Sequence, residues 1–264
     1  MLFTCFHLVS ISPFPFFVSV LFGGCFLYGI YGFHFYSYKI FFLLVVFFIF
    51  CVVLWFSSVE VEAEAGWHSF VVSKGLRLGM VLFILSEVLF FFGFFWSFFH
   101  NSWSPNISTN GWPPFDCNTF IMDPFGIPFL NTFYLLSSGV TITLCHHLLI
   151  NGFNWSFGIF FSWFLTIFYG LLFLDCQLEE YLYSEFSLSS GAYGSVIFML
   201  TGFHGFHVFL GLWMLFFWYL RFNFSFEFSS KHHVSFEIAA WYWHFVDVVW
   251  LFLFIFVYWY NSVM

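Results

Sequence analysis

Charge is almost missing from this chain. Of its 264 residues, 7% are Asp, Glu, Lys or Arg, where a soluble globular protein carries about 25%. A soluble fold could not bury the 62% of the sequence that is hydrophobic, whereas helices in a bilayer leave such side chains facing lipid. Positive charge is scarcest, with five Lys and Arg against thirteen Asp and Glu. No basic stripe exists to neutralise phosphates, which excludes nucleic acid as a partner. The six cysteines, Cys5, Cys25, Cys51, Cys117, Cys145 and Cys176, form no CxxC and no ligand-type spacing. The sequence therefore assigns neither a disulfide nor a thiolate metal site. Nucleophile elbow, phosphate loop, dinucleotide fingerprint and HExxH are all absent. So are an Arg-rich transit peptide and a charged leader with a small-residue cleavage site; the first Lys or Arg is Lys39.

What is present in excess is Phe, 52 residues of it, beside 13 Trp and 13 Tyr. Function rarely demands so much Phe. T-rich codons in a small organellar genome would produce it, with Phe replacing Leu and Ile on lipid-facing surface. Together with the missing leader, this gives the expectation of a protein made inside an organelle and inserted directly.

Seven hydrophobic spans are legible, at about Phe16–Tyr36, Ile40–Phe56, Leu76–Trp103, Phe129–Ile150, Trp155–Leu174, Gly191–Phe222 and Phe236–Tyr260. The fold class expected is an all-α polytopic membrane protein. The gap between the second and third spans is the natural internal division. It separates an N-terminal segment and two-helix hairpin (1–57) from a five-helix bundle (76–264), through a linker at 58–75. The stretch Asp175–Ser190, with Glu179, Glu180 and Glu185, reads as an acidic loop. No internal repeat or inverted symmetry is visible, which weighs against a transporter built from duplicated halves. Orientation is set by Lys and Arg: Lys74, Arg77, Arg221 and Lys231 fall on one side and Lys39 on the other. That places the N-terminus in the matrix or cytoplasm.

Glu87 is the residue that demands explanation. It stands in Met80-Val-Leu-Phe-Ile-Leu-Ser-Glu87-Val-Leu-Phe-Phe-Phe, otherwise apolar or small. An unpaired acid at that depth costs on the order of 3 kcal/mol on insertion scales. At about 1.5 Å rise per residue, Glu87 lies roughly 15 Å in from Arg77, and His207 roughly 21 Å in from Arg221. These depths are compatible, and His204 and His207, at i and i+3, could both face one neighbour. A Glu87–histidine hydrogen bond between the third and sixth spans is therefore expected. A haem or metal role for the histidines is less attractive. Adjacent residues point about 100° apart on a helix, so His146-His147 cannot cooperate on one ion. No two spans carry the matched deep histidines of a membrane cytochrome b. In the last span, His244 and Asp247 stand at i and i+3 and are expected to form a structural polar pair rather than a proton relay.

Several runs together resemble one family closely. They are Gly75-Leu-Arg77-Leu-Gly79-Met80, Ser86-Glu87-Val88, Trp112-Pro113-Pro114, and Ser137-Ser138-Gly139-Val140-Thr141 with His146-His147. Thr201-Gly202-Phe203-His204-Gly205-Phe206-His207 and Ala239-Ala240-Trp241-Tyr242-Trp243-His244-Phe245-Val246-Asp247 complete the set. Collinear over nearly the whole chain, they are similar to those of the cytochrome c oxidase subunit III family. The resemblance implies seven helices, with the first two splayed from the other five around a lipid-filled cleft. It implies a non-redox core subunit of complex IV in the mitochondrial inner membrane, N-terminus in the matrix and C-terminus in the intermembrane space. No catalytic, cofactor or metal residue is expected in this chain. Haem a, haem a3 and copper would lie in partner subunits, with subunits I and II, accessory subunits and phospholipids as partners. The chain would support stability, lipid binding and proton uptake by the complex, which reduces oxygen with electrons from cytochrome c. Candidate lipid contacts are Trp55, His68, Arg77, Arg221, Lys231 and His232. After Trp55, Phe56-Ser-Ser-Val-Glu60-Val replaces the family's basic–acidic run, so arginines expected near lipid phosphates are missing. The rival reading from another class is a proton-coupled membrane carrier using Glu87 as its protonation site.

Overall fold

The computed structural model describes residues 11–105, 111–112, 123–152, 156–224 and 233–263. Every regular element among them is helical: α1 (Phe14–Phe35), α2 (Lys39–Glu64), α3 (Phe70–Trp103), α4 (Ile127–Ile150), α5 (Phe157–Tyr183), α6 (Ala192–Phe224) and α7 (Val234–Leu253). α7 runs on through a π-helical stretch (Phe254–Trp259) into a last turn, α8 (Tyr260–Val263). Among the described residues, seven helices are long and apolar enough to cross a membrane. The protein is an all-α, multi-pass membrane protein. Local chemistry sets the starts: proline occupies the first turns of α1 and α4, where a missing N–H is harmless. Ser156 caps α5 by accepting from the Ile159 amide at 3.4 Å.

Two stretches differ from the sequence reading. α2 continues to Glu64 and α3 begins at Phe70, so only residues 65–69 separate helices where a linker at 58–75 is expected. α5 continues to Tyr183, so residues 175–183 are helix and not loop. In a membrane chain, charge reads as the end of a span and the start of a loop. Here it marks helix ends that leave the apolar layer while their backbone bonds continue.

Contacts divide the chain into two compact units, residues 1–76 and 77–264. In the first, α1 and α2 form an antiparallel hairpin: Phe22 meets Phe48 at a 6.1 Å ring separation, Gly24 faces Leu44 and Gly29 faces Phe41. Its outward faces carry Phe, Leu, Ile and Val almost throughout, and no residue in the apolar window of α2 is buried. Such a hairpin holds its shape only in lipid or against partners.

In the second unit α4 packs on α5 and α7, and α6 packs on α5 and α7. α7 is the centre, with 56% of its apolar window buried against 6% for α3. Fully buried Trp243 anchors it, donating its indole N–H to Ser138 Oγ on α4 at 2.9 Å. On α6 the same ring lies where a Cβ at Gly211 would stand 2.9 Å from its Cε3. On α4, a Cβ at Gly139 would stand 2.8 Å from Asp247 Oδ2. Glycine is what allows α7 to bring a ring and a carboxylate this close to neighbouring backbones. α3 reaches the bundle through long aromatic side chains, Phe90 to Phe203 at 5.0 Å and Phe95 to Phe256 at 6.1 Å.

Candidate functional site

Glu87 projects from α3 towards α6, where His207 Nε2 stands 2.9 Å from its Oε2. The His207 ring is 8% exposed and the Glu87 side chain 22%. The other ring nitrogen, Nδ1, lies 2.6 Å from the Phe203 carbonyl one turn earlier in α6. A carbonyl oxygen only accepts, so Nδ1 carries the hydrogen and donates it. That fixes the rest of the arrangement. The short Nε2···Oε2 contact needs one proton, whether drawn as carboxylic acid donating to imidazole or imidazolium donating to carboxylate. With no proton there, a lone pair would face an anionic oxygen. Around it stand Phe91, edge-on to the imidazole at 5.0 Å, Tyr242, stacked at 6.3 Å, and Phe245 at 6.5 Å. An apolar wall of this kind strengthens a polar contact by keeping water off it.

His204 does not share this neighbour. It is fully buried, and its Nε2 lies 3.1 Å from the Val246 carbonyl on α7, donating to it; the ring sits between Phe173 and Trp250. Three residues along a helix turn the side chain by about 300°, leaving the two rings about 60° apart. With α3 on one flank and α7 on the other, that is enough to send each histidine to a different helix.

His244 and Asp247 come within 3.8 Å, Nδ1 to Oδ2, which is wider than a hydrogen bond. Asp247 is 7% exposed and lies against Gly139, while the His244 side chain is 42% exposed. The two thus form a close polar contact whose members lean towards different surroundings.

The lipid candidates are distributed over both units. Trp55 and His68 are half-buried in the first unit. In the second, Arg77 Nε donates to Glu237 Oε2 at 2.7 Å, and Arg221 Nη1 lies 3.4 Å from Ser235 Oγ. Lys231 and His232 lie outside the described residues. Arg77 is committed to a carboxylate, which leaves it less free for a headgroup than its sequence position suggests.

One buried acid escaped the sequence reading. Glu180, read as part of a loop, is 6% exposed inside the extended α5. Its Oε2 accepts from Gln177 Nε2 at 2.8 Å and from the Tyr258 hydroxyl at 3.1 Å. Beside it the Tyr181 hydroxyl donates to Thr201 Oγ1 on α6 at 2.7 Å. Glu180 lies on the buried face of α5 with Gly170, Phe173 and Gln177, at i, i+3, i+7 and i+10, a face whose polar members hide it from an apolar pattern.

Known proteins resemble this chain along nearly its whole length. The family model described as cytochrome c oxidase subunit III matches residues 4–262. A protein of Chondrus crispus named cytochrome c oxidase subunit 3 is 45% identical over 261 residues, covering 97% of this chain and 94% of that one. One of Osphranter robustus with the same name is 45% identical over 267 residues, 97% of each chain. One of Anopheles gambiae, also so named, is 44% identical over 264 residues, again 97% of each.

Proposed function

The chain belongs to the cytochrome c oxidase subunit III family, and from that membership we propose that it is a core subunit of the respiratory oxidase that carries no redox centre of its own. Haem a, haem a3 and copper reside in its partners, subunits I and II among them. The observation that carries this reading is the family match from residue 4 to residue 262, which takes in every membrane span. The chain sits in the mitochondrial inner membrane with its N-terminus in the matrix and its C-terminus in the intermembrane space. The basic residues Lys74, Arg77, Arg221 and Lys231 on the N-terminal side support that orientation.

Within the assembly its contribution is physical. The Glu87–His207 pair offers a protonatable group near mid-bilayer depth and supports proton uptake by the catalytic subunit. The apolar outer faces of the helices hold phospholipid, with Trp55, His68, Arg221, Lys231 and His232 as headgroup contacts and Arg77 a secondary one. Affinity purification through this chain from mild detergent tests the proposal: haem, copper and phospholipid should accompany it in fixed ratio. Isolated from its partners, it should show no Soret band and drive no proton-coupled flux in liposomes. A Soret band or a flux from the chain alone would make it a cytochrome or a carrier instead.

A further inference from the structure

We propose that His146, His233 and Glu237 form a binding site for a divalent transition-metal ion of the zinc class, clasping the end of α4 to the start of α7. One ligand atom from each of these residues lies within 4.8 Å of the other two. His146 is in the last turns before α4 stops at Ile150; His233 precedes the first residue of α7, and Glu237 comes four residues later, on the same face. His146 and His147, adjacent on α4, cannot act as a unit on one ion. Histidines from two different helix ends can, and His146 and His233 are two that meet here.

Three observations point to a ligand. The first is unspent valence: His146 Nε2 is buried without a hydrogen-bond partner among the described residues, beside a His233 that is 8% exposed. A buried imidazole nitrogen in that condition is rare in a settled interior. The second is spacing. His233 Nε2 lies 3.3 Å from Glu237 Oε1, longer than the roughly 2.8 Å of a charge-assisted hydrogen bond. It matches the edge, about 3.3 Å, of a tetrahedron whose ligands lie about 2.0–2.1 Å from a zinc ion. The His146 ring stands 5.4 Å from the His233 ring at 68°, so the two converge edge to face, and a modest turn of His146 closes the third ligand position. The third observation is orientation: Arg77 Nε donates to Glu237 Oε2 at 2.7 Å, holding the carboxylate so that Oε1 faces the imidazoles. A hydrogen-bonded outer oxygen is the usual support of a ligating carboxylate.

The donor set decides the ion. Two neutral imidazoles and one carboxylate suit zinc and its borderline neighbours and are wrong for magnesium or calcium, which take oxygen shells. Three protein ligands leave a fourth position for water or for a group from a partner. Binding displaces any proton held on the ligating nitrogens.

The test uses the detergent-extracted assembly that contains this chain, stripped with chelator and dialysed against a series of 65Zn concentrations. Wild type should retain one more zinc per assembly than the His146→Gln variant, or bind it at least about tenfold more tightly. His147→Gln, which alters an exposed neighbour, should behave as wild type. Zinc-edge absorption of the extra ion should show imidazole nitrogen and carboxylate oxygen at about 2.0–2.1 Å. Should His146→Gln impair assembly, Glu237→Gln provides the same comparison. Equal zinc binding by wild type and the assembled variant, or an extra ion without an imidazole shell, overturns the site.

Discussion

His207 has two ring nitrogens and both face oxygen, which makes it a one-position proton holder. Nδ1–H is committed to the Phe203 carbonyl, so Glu87 and Nε2 must share a single proton across 2.9 Å. His204, three residues earlier, is committed to Val246 and has no part in that bond. The two histidines can therefore be told apart by experiment. Replacing His207 with Ala should shift the Glu87 carboxyl bands in the infrared spectrum, because the acid loses its only described hydrogen-bond partner. Replacing His204 with Ala should leave those bands in place and instead lower thermal stability by about 1–3 kcal/mol, since a buried carbonyl is left without its donor. A Glu87 band that moves in the His204 variant and not in the His207 variant would contradict the geometry. From sequence alone, i and i+3 spacing could not separate these roles. The 60° between the rings acquires meaning only once α3 and α7 are placed on either flank of α6.

Between helices, the decisive contact is the one joining α5 to the π-helical stretch after α7. A π turn takes an extra residue into the helix and rotates the residues beyond it, and Tyr258 lies within this one, with its hydroxyl against Glu180. The cluster is built around one acceptor: both Gln177 and Tyr258 donate to the same carboxylate oxygen. Glu180→Gln keeps an acceptor oxygen there and should assemble with little change in thermal midpoint. Glu180→Leu leaves two buried donors without an acceptor and should destabilise by about 2–5 kcal/mol, read as earlier loss of helicity on heating. Equal midpoints for the two variants would show that the hydrogen bonds are not what holds this end. The seven spans themselves were legible because a run of about 20 apolar residues has few other uses. The extensions of α2 to Glu64 and α5 to Tyr183 were not, since charge at a helix end and charge in a loop look alike in one dimension. The burial of Glu180 depends on where a distant helix puts Tyr258. No local pattern reports that.

At the scale of the molecule, the two units rest on different forces. Residues 77–264 have an interior in which Trp243, Trp250, Phe98 and Phe173 are nearly or wholly buried. Dispersion contacts between close-packed side chains hold that interior whatever surrounds it. The α1–α2 hairpin has almost none: Gly32 is the one buried residue of α1, and α2 buries no residue in its apolar window. Its stability must come from what lies outside it, because few of its own side chains are buried within it. Loss of lipid should then affect the units in a fixed order. Hydrogen exchange read by mass spectrometry, on the assembly before and after phospholipid is stripped by excess detergent, should show α1 and α2 losing protection first. The buried faces of α4 to α7 should keep theirs, with α7 slowest because 56% of its apolar window is inside the bundle. Uniform loss across all seven helices would mean that the hairpin is held by something stronger than the contacts visible along α1 and α2. Protection that outlasts lipid removal in the hairpin would assign its support to protein contacts instead of lipid, since so little of the hairpin is buried within itself.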